Sequence, residues 1–301
     1  MPFAIGLRFY RVTIRVRGKD EALPTGPGSE PCDILDYCEG FVERRTTPTQ
    51  ETSEPRTWLF ERQETNSIRV VHGFINYGTH GFESKIKDVK TRTERYQRQA
   101  TDLEEIPLYF QIWCPSDADC AIFAFQSFTG RSCVSYVRAA MIRDFQERFP
   151  GYLMRFSVLA PSDAALGDAP VKALTFLKPK RSSDRADRML GHKPEEIDYQ
   201  LTVRAKRRGA MLASFRELKD RLSGSANGLI EFDGHAFESV RAEVKFGRKR
   251  RIVGLAGTGF DAGLIDVTDE VKCGKNGHPM IESITAEVDD LMEEFYGSMK
   301  T

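Results

Sequence analysis

The chain has 301 residues, 40% of them hydrophobic and 29% charged, and its 44 Lys and Arg are balanced by 44 Asp and Glu. That length and balance describe a soluble, globular protein of two modest domains, or of one with an elaborate extension. They exclude a membrane-spanning helix, because no apolar run approaches the roughly 18 residues one needs.

The opening, Met1 to Tyr10, lacks the apolar core and small-residue cleavage site of a secretion signal, so a cytoplasmic location is expected. From Phe9 to Arg17 the chain alternates, with Tyr10, Val12, Ile14 and Val16 on one face and Arg11, Thr13, Arg15 and Arg17 on the other. That pattern predicts a strand with one wet, basic face. Gly18–Pro31 carries Pro24, Gly26, Pro27 and Gly28 and is a loop. Asp33–Arg44 follows as a short helix, Thr46–Pro55 as a second loop, and Arg56–Glu61 and Ser67–Tyr77 as strands. Glu83–Gln99 holds six basic residues and three acids with little apolar period, so it is an exposed strand or helix.

Ile106–Trp113 and Cys120–Phe128 are near-continuous apolar runs joined by Pro115–Asp119, the pattern of a buried hairpin. Ser132–Phe149 sets Val134, Val137, Met141 and Phe145 on one helical face, and Pro150 and Gly151 end that helix. A strand over Tyr152–Leu159 leads to the domain boundary at Pro161–Pro170. Beyond it come strands at Val171–Leu177 and Ile197–Ala205, a short helix at Ser183–Leu190, and a helix at Met211–Leu222 burying Met211, Phe215, Leu218 and Leu222. Val240–Phe246 and Arg251–Leu255 form a hairpin tipped by Gly247 to Arg250. A final helix over Pro279–Met299 spaces Ile281, Ile284, Val288, Leu291 and Phe295 by threes and fours. Such a narrow seam suits one partner helix, in this chain or in a second copy across a dimer. The expected fold is α+β, with mixed or antiparallel sheets and single packed helices in two subdomains, 1–160 and 171–301.

Charge is distributed unevenly. Val171–Arg221 holds 14 Lys or Arg against 7 acids, and Arg241–Arg251 holds 6 against one, whereas Gly259–Thr301 holds 10 acids against 3 Lys. A groove that neutralises several phosphates gains affinity by releasing counterions without reading bases. The DNA-contacting residues expected first are Arg207, Arg208, Arg248, Lys249, Arg250 and Arg251. Lys178, Lys180, Arg181, Arg185, Arg188, Arg204 and Lys206 come second. The plainer reading is a solvated face.

Catalytic signatures are weak. The six cysteines form no CxxC pair and read as free, mostly buried thiols. No histidine lies in an HExxH or HxH pattern; His278 suits a turn, and His72 and His80 suit the surface. Gly254–Gly259 follows a strand but opens no helix, so it reads as a flexible turn rather than a phosphate loop. A metal-dependent nuclease is the enzymatic alternative, built from Asp184, Asp187 and His192 or from Asp261, Asp266 and Asp269. Against it, Asp184 and Asp187 alternate with Arg185 and Arg188, and Asp266, Thr268 and Asp269 read as turn and cap residues. No catalytic residue, metal site or cofactor is therefore assigned. A protein-interaction scaffold is the third reading.

From Ile106 to the C-terminus the order of elements resembles the RexA-type phage-exclusion proteins and related bacterial anti-phage defence proteins. The likeness lies in the hairpin of Pro107–Ile112 and Ile122–Gly130 and the helix running to Phe149–Tyr152. It continues in the strand entering Lys178–Asp187 and the turn at Asn276–Pro279. The resemblance implies a cytoplasmic homodimer that binds double-stranded DNA without marked sequence preference, acting in abortive infection with a membrane-associated partner. It carries no catalytic motif, and the first hundred residues do not follow its pattern.

Overall fold

The computed structural model describes residues 4–50, 55–159, 169–178, 199–206, 211–222, 230–232, 235–237, 239–246, 249–257 and 263–299. Two compact units emerge. The first holds Met1–Ile5, Tyr10–Ser157 and Glu270–Met292, and the second holds Gly6–Phe9, Val158–Asp269 and Glu293–Thr301. The units interleave along the chain, so Glu270–Met292, counted above with 171–301, falls in the first. The fold is α+β and mostly antiparallel sheet.

In the first unit the strands are β1 (Ile5–Val16, from Tyr10 on), β2 (Thr49–Gln50), β3 (Arg56–Gln63), β4 (Val70–Thr79), β7 (Glu104–Trp113), β8 (Ala121–Phe128) and β9 (Tyr152–Leu159). Their order is β1-β8-β7-β4-β3-β2, with β9 also on β1. Strands β5 (Ser84–Lys87) and β6 (Glu94–Arg98) pair only with each other, as an exposed hairpin. Thr49–Gln50, expected as loop, is a short strand on β3.

The near-continuous apolar run of β7 is explained by burial on both faces, where no alternation is needed. Phe110 meets Phe60 at 4.9 Å, and Phe60 meets Phe41 of helix α1 (Ile34–Glu43) at 6.0 Å. Tyr37 of α1 lies 5.1 Å from Phe145 of helix α2 (Val134–Arg148), and its hydroxyl donates to Met141 O. On the other face, Tyr109 and Gln111 meet the C-terminal helix, which opens at Ile281. β1 also departs from the expected pattern. Its odd positions Ile5, Leu7 and Phe9 are buried before the basic positions Arg11 and Arg15 begin.

In the second unit the order is β11 (Tyr199–Arg204), β10 (Ala173–Lys178), β14 (Ser239–Phe246), β15 (Lys249–Gly257), β16 (Leu264–Asp266) and then Gly6–Phe9 of β1. β12 (Ile230–Phe232) and β13 (His235–Phe237) form a small separate pair. Phe176 stacks on Phe232 at 4.5 Å and meets Phe237 at 5.2 Å, beneath buried Val240, Ala242, Val244 and Val253. Helix α3 is Phe215–Leu222, shorter than expected. It is opened by a capping box, in which Ser214 Oγ accepts from Glu217 N–H and the Glu217 carboxylate accepts from Ser214 N–H. Met211 precedes it and is exposed, and of the expected apolar face only Phe215 is buried. The expected helix at 183–190 lies outside the described residues.

Helix α4 (Ile281–Met299) corrects the dimer-seam expectation. Ile284, Val288, Leu291 and Phe295 are all buried within a single chain, while Ile281 is half-buried. The buried stripe also takes in Met292, and Thr285 and Asp289 bond to the sheet. A stripe this wide covers a sheet face rather than a single helix. The seam is therefore already used inside the chain.

Candidate nucleic-acid interface

Antiparallel pairing in the second unit decides which basic residues come together. Ala173 of β10 pairs with Arg204 of β11 on one side and with Glu243 of β14 on the other. Phe246 of β14 pairs with Lys249 of β15, and Lys245 with Arg250. Lys172 N–H donates to Glu243 O, and Ala205 N–H to Lys172 O, so these residues lie level across the sheet. Arg204, Lys206, Lys245, Lys249, Arg250 and Arg251 therefore sit at one end of four adjacent strands. At ~4.8 Å per strand gap, that end is about 14 Å across. Phosphates recur every ~3.4 Å along each DNA strand, so such an end meets more than one of them.

Lys178 pairs with Tyr199 at the opposite end of the sheet, which separates it from this group. Of Lys178, Lys245, Lys249, Arg250 and Arg251 only the backbone is described, whereas the Arg204 and Lys206 side chains are exposed. Arg207, Arg208, Arg248, Lys180, Arg181, Arg185 and Arg188 lie outside the described residues. The pairing also corrects the hairpin tip. Lys249 and Arg250 are strand positions, not tip positions, because β15 begins at Lys249 rather than at Arg251.

Lys245 was missed by sequence reasoning. Its place directly opposite Arg250 is a consequence of register, which only the pairing of β14 with β15 reveals. Like charges at directly opposite ladder positions destabilise a sheet. The acid at this end, Glu243, lies 3.2 Å from Arg204.

Of the candidate carboxylates, Asp266 is engaged structurally. Asp266 Oδ1 accepts from the Thr268 N–H and hydroxyl, as its turn reading predicts, and its other oxygen lies 4.0 Å from Arg241. Asp184, Asp187, His192 and Asp261 lie outside the described residues. Among the described residues no group of three or more His, Cys, Asp or Glu is placed to hold a metal ion. The six cysteines are free thiols, four of them buried. Burial pushes the Cys32 and Cys120 thiols up to about 11, so both stay protonated and unreactive. Gly254 to Gly257 is strand rather than the expected turn.

His72 also departs from expectation. It is buried, its ring bonded to Tyr109 Oη at 3.0 Å and Glu64 O at 3.2 Å. Tyr109 continues to Gln111 Oε1 and Thr285 Oγ1, and Gln111 Nε2 donates to Asp289 Oδ1 at 2.6 Å. This satisfied network joins α4 to the sheet and is structural. His278 serves its turn, its N–H donating to Asn276 Oδ1 and its ring lying 4.6 Å from Phe128. Among the described residues no helix is long and apolar enough to cross a membrane. No family model, no curated protein and no solved structure matches this chain.

Proposed function

We propose that this chain is a non-enzymatic, sequence-nonspecific double-stranded DNA-binding component of a bacterial anti-phage system, acting in the cytoplasm as a homodimer. The observation that carries the reading is the cationic strand end, where Lys245 pairs opposite Arg250, Lys249 and Arg251 flank that position on β15, and Arg204 and Lys206 lie at the same end two and three strands away. A strand register that sets two bases opposite one another at a sheet end is favoured when a polyanion lies across it. The RexA-type resemblance supplies the anti-phage role, the dimer and the membrane-associated partner. The dimer in this reading uses a surface other than the α4 seam.

Mobility shift of random-sequence duplex DNA across a salt series tests the proposal. Binding should fall steeply with salt and equally for unrelated sequences. Replacing Lys249, Arg250 and Arg251 together by Ala should make the log–log slope shallower by about 2.7, at ~0.9 per phosphate contact. Absence of binding at low salt overturns the reading.

A further inference from the structure

The hairpin β5–β6 is the other cationic feature of the molecule, and it lies in the first unit. Its strands pair only with each other, Ser84 with Arg98 and Ile86 with Tyr96, so it stands as a two-stranded ribbon. From Ser84 to Val89 the ribbon reaches about 17 Å.

Its root is fixed. Arg98 is buried, donates to Glu104 at 2.9 Å and Thr79 O at 2.6 Å, and lies 4.0 Å over the Phe82 ring. Its tip is fixed as well. The Asp88 carboxylate accepts from the Lys90 and Thr91 N–H groups at 2.9 Å, and Arg92 takes a left-handed φ of 59°. An isolated hairpin is marginal in water, so this anchoring is what holds the ribbon in shape.

The acids of the ribbon are already engaged. Lys85 pairs with Glu94 at 3.1 Å, and Arg95 pairs with Asp88. Lys87, Lys90 and Arg92 are exposed and make no ion pair among the described residues. They surround Val89, which is 89% exposed at the tip, and Ile86 and Tyr96 are each half-exposed along the shaft.

We infer that the β5–β6 hairpin is a DNA-contacting arm, with Lys87, Lys90 and Arg92 on phosphates and Val89 entering a groove of the duplex. Three free cations around one small apolar residue complement a groove lined by phosphates, and the major groove, ~12 Å wide, admits a two-stranded ribbon. Loops that enter membranes instead carry Trp, Phe or Leu at their tips, which this tip lacks. The inference shares its ligand with the proposed function but rests on residues of its own.

The test uses the full chain, random-sequence duplex DNA in a salt series, and anionic phosphatidylserine vesicles in parallel. The triple variant Lys87→Ala, Lys90→Ala, Arg92→Ala should bind duplex about tenfold or more weakly, with the salt slope shallower by about 2.7. Its melting temperature should be unchanged, because all three side chains are exposed. Val89→Ser should weaken binding a few-fold without altering the slope. A triple variant that binds duplex as the parent does overturns the arm and leaves the proposed function standing. A parent chain that ignores duplex overturns both. Vesicle binding that depends on the three cations, with duplex binding unaffected by them, overturns the arm in favour of a lipid surface.

Discussion

Both units pair arginine with acids, but the second also brings bases together by strand register. In the first, Arg11 meets Asp119, Arg62 meets Glu39 and Glu43, and Arg44, Arg45 and Arg148 converge on Asp144. Arg69 meets Asp33, and Arg98 and Arg131 share Glu104. In the second, Arg204 meets Glu243 and Arg241 meets Asp266, while the strand register also sets Lys245 opposite Arg250. Each unit holds 22 Lys and Arg, but the first sets them against 26 acids and the second against 18. A count of basic residues does not separate these cases; the arrangement of carboxylates does. By the same measure the β5–β6 arm stands apart from its own unit, since its tip cations lack the partners its shaft cations have.

If the first unit's pairs are structural, breaking the most enclosed one should have the largest effect on stability. Asp33 and Arg69 form a bidentate pair at 2.7 and 2.9 Å, with side-chain exposures of 9% and 12%. Asp33 also caps α1 by accepting from Leu35 N–H at 2.8 Å. Asp33→Ala should cost about 3 kcal/mol, measured by urea unfolding, because it removes a cap and strands a mostly enclosed guanidinium. Burial pushes the Asp33 carboxyl up, but the hydrogen bonds from Arg69 and Leu35 N–H and the Arg69 charge outweigh it and hold it below its ordinary value. The pair's stability is therefore fully present above the unfolded value near 3.9 and is lost as pH falls through the lower folded value. A stability unchanged by the substitution would erase the contrast between the units.

The Glu104 junction is the next step down. Arg131 and Arg98 both donate to its carboxylate, and with the Arg131 hydrogen bond leading and burial opposing, its carboxyl is held below the ordinary glutamate range. Glu104→Gln should cost about 2 kcal/mol in the same measurement, a loss fully present above the unfolded carboxyl value near 4.3 and vanishing as pH falls through the lower folded value. Arg98 would keep its bond to Thr79 O, which sets the effect below that of Asp33.

Much of this architecture is legible in the sequence, where local chemistry decides. The short helix after Asp33 and the face Val134, Val137, Met141 and Phe145 each depend on neighbours within a few residues, and each is where the pattern puts it. What distant partners decide is not legible. His72 carries no mark of burial until β4 pairs with β7 and sets it opposite Gln111. The α4 seam has heptad-like spacing but is covered by a sheet, because spacing specifies a stripe and not what lies against it. The cationic end shows the same division. Its residue types stand in the sequence, yet the grouping of Arg204 with Arg250 and the exclusion of Lys178 follow from antiparallel register alone.

The sharpest separation of stability from binding comes from the smallest energy. Arg250→Glu converts the opposed like-charge position at Lys245 into an opposite-charge one, which should raise stability by about 0.2–1 kcal/mol in urea unfolding. The same substitution places an acid at the strand end and should weaken duplex binding uniformly across sequences, with the salt slope shallower by about 1. A gain in stability paired with a loss in binding would mark the position as one kept for a polyanion at a cost in stability. If the variant instead loses stability and binds duplex as before, the opposed charges belong to a solvated face and the two units differ in composition alone.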